Sequence, residues 1–220
     1  MILTFRRLIG MLLLAATATW AQAGVTYTFD TGAQGFTAAP GGVLAWSSQG
    51  GVGNSGYISI ADYTPGETYT IAPSSGNLAS LFGGMLSFDY NVLDHRVNNA
   101  YQAYDRFGTI TIFSGPSFVT ADVIDPIASD LSGTGWHPAS YRLTEAFWSG
   151  NASLASVLDD VTAIQIVTEY NTTIIWPDEV VGLDNFRLSA EVPEPMSLSL
   201  ALVALAGLGL SSRRRKASAS

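Results

Sequence analysis

Apolar and polar residues alternate from position 25 onward. In Val25-Thr26-Tyr27-Thr28-Phe29 the apolar side chains fall on every second residue, so a strand here turns Val25, Tyr27 and Phe29 to one face and the threonines to the other. The same period of two returns in Tyr57–Ile60, Thr68–Ile71, Met85–Tyr90, Thr109–Phe113, Ala139–Leu143, Val161–Thr168 and Val180–Leu188. Between these runs stand clusters of Gly, Pro, Asn and Ser, such as Ala39-Pro40-Gly41-Gly42, Gln49–Gly56 and Ser129–Gly135, which favour turns over continued strands. Only Leu154, Val157, Leu158 and Val161 follow helical spacing, and they predict a short helix leading into a strand. About eight or nine short strands in one domain read as an all-β fold, an antiparallel β-sandwich of jelly-roll type.

Two uncharged apolar stretches depart from this texture, one at each end. Near the N-terminus Arg6-Arg7 precede Leu8–Ala18, and Ala21-Gln22-Ala23 then place small residues where a signal peptidase reads. That is the order of a secretory signal peptide over residues 1–23, cleaved before Gly24; the short apolar core argues against an uncleaved membrane helix. At the other end, Val192-Pro193-Glu194-Pro195 is followed by the charge-free run Met196–Leu210, Ser211-Ser212, and the cluster Arg213-Arg214-Arg215-Lys216. The prolines lack amide donors and keep the chain extended before the run begins. The run is shorter than the ~20 residues of a comfortable span, which suits a processed signal better than a plain tail anchor. Its basic cluster stays on the cytoplasmic side and orients the rest of the chain outward.

The motif, short apolar helix and terminal arginines in this order resemble the PEP-CTERM sorting domain over residues 192–216. The resemblance implies handling by an exosortase, a membrane transpeptidase or protease, with Pro193, Glu194 and Pro195 as the recognition motif and Arg213, Arg214 and Arg215 as the stop. It further implies a Gram-negative bacterium that makes exopolysaccharide, an intermediate in the inner membrane, and final placement at the cell surface or in the extracellular matrix.

Without the two targeting segments, the domain over residues 24–191 has four arginines (Arg96, Arg106, Arg142, Arg187), no lysine, and, with Glu194, 18 acids, a formal charge of −14. Such a surface repels nucleic acid and anionic lipid and attracts divalent cations. The chain has no cysteine, which excludes disulfides, thiol nucleophiles and zinc–thiolate sites.

Within this domain Phe29-Asp30-Thr31-Gly32 with Gly35-Phe36 comes first, then Gly84–Tyr90, then Gly133-Thr134-Gly135-Trp136 leading to Tyr141-Arg142-Leu143. Gly182-Leu183-Asp184-Asn185-Phe186-Arg187-Leu188 closes it. Their order and spacing resemble a laminin B (domain IV) module across most of residues 24–190, without that family's cysteine-bearing flanks. The resemblance implies a galactose-binding-like sandwich used for adhesion or ligand display. It also implies a structural Ca²⁺ tying the first strand to the last, at positions matched here by Asp30 and Asp184.

The residues themselves leave the chemistry open. Counting by twos along Val180–Leu188 puts Gly182, Asp184, Phe186 and Leu188 on one face, so Asp184 is expected among apolar side chains and needs a partner. The partner is either Ca²⁺, shared with Asp30 and backbone carbonyls, or backbone amides at the sandwich rim. Asp62 and Glu67 are further oxygen donors. His95 and His137 lie in no metal-binding spacing and no Gly-x-Ser-x-Gly elbow is present, so both read as solvated loop histidines. Asp159-Asp160 and Asp178-Glu179 read as solvated turn charges rather than a glycosidase pair. No catalysis is expected. The polar, aromatic segment Leu93–Phe107 offers Asn98, Tyr101, Tyr104 and Arg106 as a sugar-binding loop. Trp136, Trp148 and Trp176 are possible stacking faces, with Trp136 and Trp148 expected to plug the core instead. Three functions follow: a carbohydrate-binding or adhesive module, with a purely structural matrix protein and a secreted polysaccharide hydrolase or lyase as the alternatives.

Overall fold

The computed structural model describes residues 24–39, 41–63, 67–95, 104–122, 124, 131, 133–170 and 179–190. The chain divides into two units, Met1–Ala190 and Glu191–Ser220, and every described residue lies in the first. The segment 1–23, the sorting residues Pro193, Glu194, Pro195 and Arg213 to Arg215, and Asn98, Tyr101 and Trp176 lie outside the described residues. No helix among the described residues is long and apolar enough to cross a membrane.

The alternating runs become strands. In chain order these are β1 (Val25–Tyr27), β2 (Thr37–Ala38), β3 (Gly42–Ser47), β4 (Tyr57–Asp62), β5 (Tyr69–Ala72), β6 (Met85–His95), β7 (Ile110–Ser114) and β8 (Ser117–Ala121). They continue as β9 (His137–Arg142), β10 (Ser149–Gly150), β11 (Ala163–Val167) and β12 (Glu179–Ser189), with one short helix, α1 (Leu154–Leu158), between β10 and β11. Among the described residues all pairings are antiparallel and make two six-stranded sheets. The first has the order β3-β4-β12-β6-β9, with β1 pairing the C-terminal end of β12. The second has the order β10-β8-β7-β11-β5-β2. This is the expected all-β sandwich of jelly-roll type.

The core forms where the inner faces meet. Ile58 and Ile60 of β4, Leu86, Phe88 and Val92 of β6, and Val181 and Leu183 of β12 come from the first sheet. Ile110 and Ile112 of β7, Val119 of β8, and Ile164 and Ile166 of β11 come from the second. Each such side chain contributes roughly 1.5–3 kcal/mol when fully buried, and a sandwich without disulfides depends on that sum. Trp148 closes one end as a buried plug, its indole N–H donating to the Arg142 carbonyl at 2.7 Å. Helix α1 buries Leu154, Val157 and Leu158. Its N-terminal amides are satisfied by Ser153, which caps Ser156 N at 3.2 Å, and by Glu145, whose carboxylate accepts from Leu154 N and Ala155 N at 3.0 Å each.

Two features depart from the sequence reading. Four strands were not marked by alternation: β2 and β10 are two residues long, β3 reads Gly-Val-Leu-Ala-Trp-Ser, and β8 is the return arm of a hairpin turning at Gly115-Pro116. The second departure is in β12. There Asp184 pairs with Asp89 and Arg187 with Ser87, so Asn185 and Phe186 stand opposite Phe88 alone. This is a β-bulge, with Asn185 in the left-handed region at φ 51°. A bulge shifts the side-chain phase by one. Before it Val181 and Leu183 face the core; after it Phe186 and Leu188 do. Asp184 therefore shares the outer face with Gly182, opposite to the face of Phe186 and Leu188.

Candidate functional site

Asp184 is fully buried even though it points outward, because the β3–β4 connection folds over it. Its Oδ2 accepts from Val52 N and from Ser55 Oγ, both at 2.8 Å, and its Oδ1 accepts from Asn185 N at 2.6 Å. The covering loop needs Gly51, since a Cβ there would stand 2.6 Å from Asp184 Oδ2. Asp30, in contrast, is exposed and accepts from its neighbour Thr28 Oγ1 at 2.8 Å. Two amides and a hydroxyl aim hydrogens at Asp184, the reverse of what a cation requires, and among the described residues no three His, Asp or Glu side chains gather as a metal site. The surroundings of Asp184 fit an anchored carboxylate and do not fit calcium.

A second group of acids lies at one end of the sandwich. Glu67 Oε2 accepts from Tyr104 Oη at 2.7 Å and pairs with Arg106 Nη1 at 2.6 Å, so two residues of the expected sugar-binding loop converge on one carboxylate. Beside it Asp62 Oδ1 accepts from Thr68 Oγ1 at 2.8 Å, and Glu169 Oε2 accepts from Thr68 N at 3.2 Å. Burial first, and then the neighbouring Asp62 carboxylate, push the Glu169 carboxyl up to about 7. Glu179 is also buried and accepts from Tyr170 N, which corrects the reading of it as a solvated turn charge. Asp159 and Asp160 are exposed as expected. His137 opens β9 rather than a loop. It is hydrogen-bonded through Nε2 to Thr134 Oγ1 at 2.6 Å and its ring lies 5.6 Å from that of Tyr90.

The outer face of the first sheet carries the arrangement best suited to a ligand. Gly182 has no side chain, and a Cβ built there would lie 2.9 Å from Trp136, 3.3 Å from Leu93 and 3.4 Å from Tyr57. Three large side chains from three places in the chain thus close over one bare stretch of backbone. Trp136 reaches it from the turn before β9, held by its indole N–H donating to Gly50 O at 2.9 Å. Tyr57 reaches it from the start of β4, its ring edge-to-face with Trp136 at 5.4 Å. Leu93, exposed, sits at an irregularity in the β6–β12 register. Ser59 and Asn91, the register partners of Gly182, add a hydroxyl and an amide on the same face. Trp136 is therefore not a core plug. Nothing in its sequence context separates it from Trp148; only the pairing of β4, β12 and β6 brings Tyr57, Gly182 and Leu93 to it.

No protein-family model and no curated protein matches the chain. Among solved structures it is similar to an exo-beta-agarase, at 10% identity and a TM-score of 0.54 over 78% of this chain and 25% of that one. It is also similar to the CBM22-1 xylan-binding domain from Paenibacillus barcinonensis Xyn10C, at 14% identity and a TM-score of 0.48 over 80% of this chain and 100% of that one. The L4b domain of human laminin alpha-2 follows at 12% identity and 0.42, over 60% and 79%. At these identities the likeness is one of fold.

Proposed function

We propose that this chain is an exported, non-catalytic carbohydrate-binding module that acts at the cell surface or in an exopolysaccharide matrix. The observation that carries the reading is the Tyr57–Trp136 pair propped over Gly182, with Ser59 and Asn91 beside it. Sugar rings offer an apolar face and a rim of hydroxyls; an aromatic pair flanked by an amide and a hydroxyl complements both. The acids that gather near Glu67 are engaged by Thr68, Tyr104 and Arg106, which suits a structural role better than acid–base work. Export and exosortase handling rest on the order of parts in residues 1–23 and 192–216. Replacing Pro193, Glu194 and Pro195 by alanine is expected to leave an unprocessed, membrane-held form, seen as a larger band in the envelope fraction.

Affinity electrophoresis of the chain through gels containing xylan, agarose or the producing cell's own polysaccharide tests the binding itself. Retardation by at least one of them is expected, and Trp136→Ala is expected to weaken it about tenfold or more, the ~1.4 kcal/mol or larger loss typical of a central aromatic anchor. Retardation lost in Tyr104→Ala or Tyr101→Ala but kept in Trp136→Ala would move the site to the Leu93–Phe107 loop. No retardation by any polysaccharide would favour the purely structural matrix protein.

A further inference from the structure

Sheet edges are templates for further pairing, and proteins ordinarily blunt them. Among the described residues the other edges here are short or blunted. In the second sheet the edges are β2 and β10, two residues each; in the first, β1 has three residues and β9 carries Pro138 and Arg142. The edge at β3 has six residues, no proline and no charge. Val43 is 51% exposed and Trp46 43%. The chain around it has no charged residue from Thr31 to Ala61, within a domain (residues 24–191) of formal charge −13.

The direction of its backbone groups follows from the register. Tyr63 N donates to Gly41 O at 2.9 Å, and Val43 and Ala45 stand opposite Ala61 and Ser59. The odd-numbered residues of β3 thus bond to β4, while Leu44 and Trp46 turn both N–H and C=O away from it. Gly42 N is already used by Ala39 O at 3.0 Å. We propose that β3 pairs antiparallel with β3 of a second copy of this chain, about a two-fold axis at Ala45, so that the first sheet continues from one copy into the other. In that register Leu44 of each copy faces Trp46 of the other, both as hydrogen-bonded pairs, and Val43 faces Ser47. Ala45 meets its own counterpart as the closer, non-hydrogen-bonded pair, with Cα atoms about 4.5 Å apart. Every opposed pair keeps its face, inner to inner and outer to outer, and the smallest side chain of the set lies on the axis. Acidic copies repel over most of their surface; along this charge-free edge they approach without bringing like charges together.

Because the chain has no cysteine, single thiols test the register directly. The full chain in mild detergent is oxidised with copper phenanthroline and run on non-reducing gels. Ala45→Cys is expected to give a disulfide-linked dimer, since a ~4.5 Å Cα separation lies within the range a disulfide spans. Val43→Cys alone is expected to crosslink weakly, and the Val43→Cys/Ser47→Cys pair strongly. Ala45→Lys, which sets two ammonium groups across the axis, is expected to shift light scattering from dimer to monomer while far-UV circular dichroism keeps the β-sandwich signature. Crosslinking of Ala45→Cys no greater than that of Val52→Cys, an exposed control on the next loop, would overturn the proposal. So would a wild-type chain that is monomeric at all concentrations.

Discussion

Asp184 shows how one residue's role depends on its neighbours' phase. Its burial is legible in the sequence, because an acid between Leu183 and Phe186 in the last strand has apolar residues on both sides. Its direction is not, because the bulge at Asn185 reverses the alternation and no local pattern announces it. The carboxylate gathers Val52 N, Ser55 Oγ and Asn185 N, and so pins the β3–β4 loop to β12. Asp184→Ala leaves those donors without their acceptor and is expected to cost about 2–4 kcal/mol in chemical unfolding, equally with Ca²⁺ or EDTA. A calcium-dependent rise in the unfolding midpoint that disappears in the variant would instead place a cation at this carboxylate. Glu169 gives a pH signature. Its folded value, pushed to about 7 from 4.5, means the native state holds a proton that the unfolded chain releases between those values. The contribution of this carboxyl to stability is therefore full below about pH 4.5 and is lost as pH rises through about 7, by up to ~3 kcal/mol. Glu169→Gln is expected to flatten that fall, measured by urea unfolding at pH 5 and pH 8.

Among the elements, strict alternation found what it can find. β1, β4 to β7, β9 and β11 were legible because apolar side chains recur at every second residue on the packed face, and β12 because its ends alternate in the same way. Helix α1 was legible because Leu154, Val157 and Leu158 line one side. β3 and β8 were not, for a physical reason: β3 is an edge strand whose outer residues Val43 and Ala45 are as apolar as its inner ones, and β8 is specified by its pairing with β7. The end of α1 is held by a residue outside it. Glu145→Ala removes the acceptor for two helix amides and is expected to cost about 1 kcal/mol in thermal or chemical unfolding, while Ser156→Ala, which keeps the Ser153 cap, costs little.

At the scale of the whole molecule, the two sheets give a rigid frame on which distant parts of the sequence meet. The aromatic pair needs the turn before β9, the first residue of β4 and a glycine of β12 in one place, and only the strand order β4-β12-β6-β9 supplies that. A single sequence shows each of these residues and none of their proximity, which is why the loop tyrosines Tyr101 and Tyr104 were the more visible candidates. Of these, Tyr104 has its hydroxyl committed to Glu67. The same first sheet carries the open β3 edge, so paired copies would present two platforms on one continuous surface, and binding to a repeating polymer would gain from both at once.

The most direct measurement is the indole N–H region of a ¹⁵N–¹H spectrum, recorded while a polysaccharide fragment that retards the protein is added. The Trp136 peak is identified by its loss in Trp136→Phe, and the peak of Trp148, buried against Arg142 O, serves as the internal control. Binding on the outer face of the first sheet predicts a saturable shift of the Trp136 peak with that of Trp148 unmoved. Saturable binding that leaves the Trp136 peak in place would contradict it.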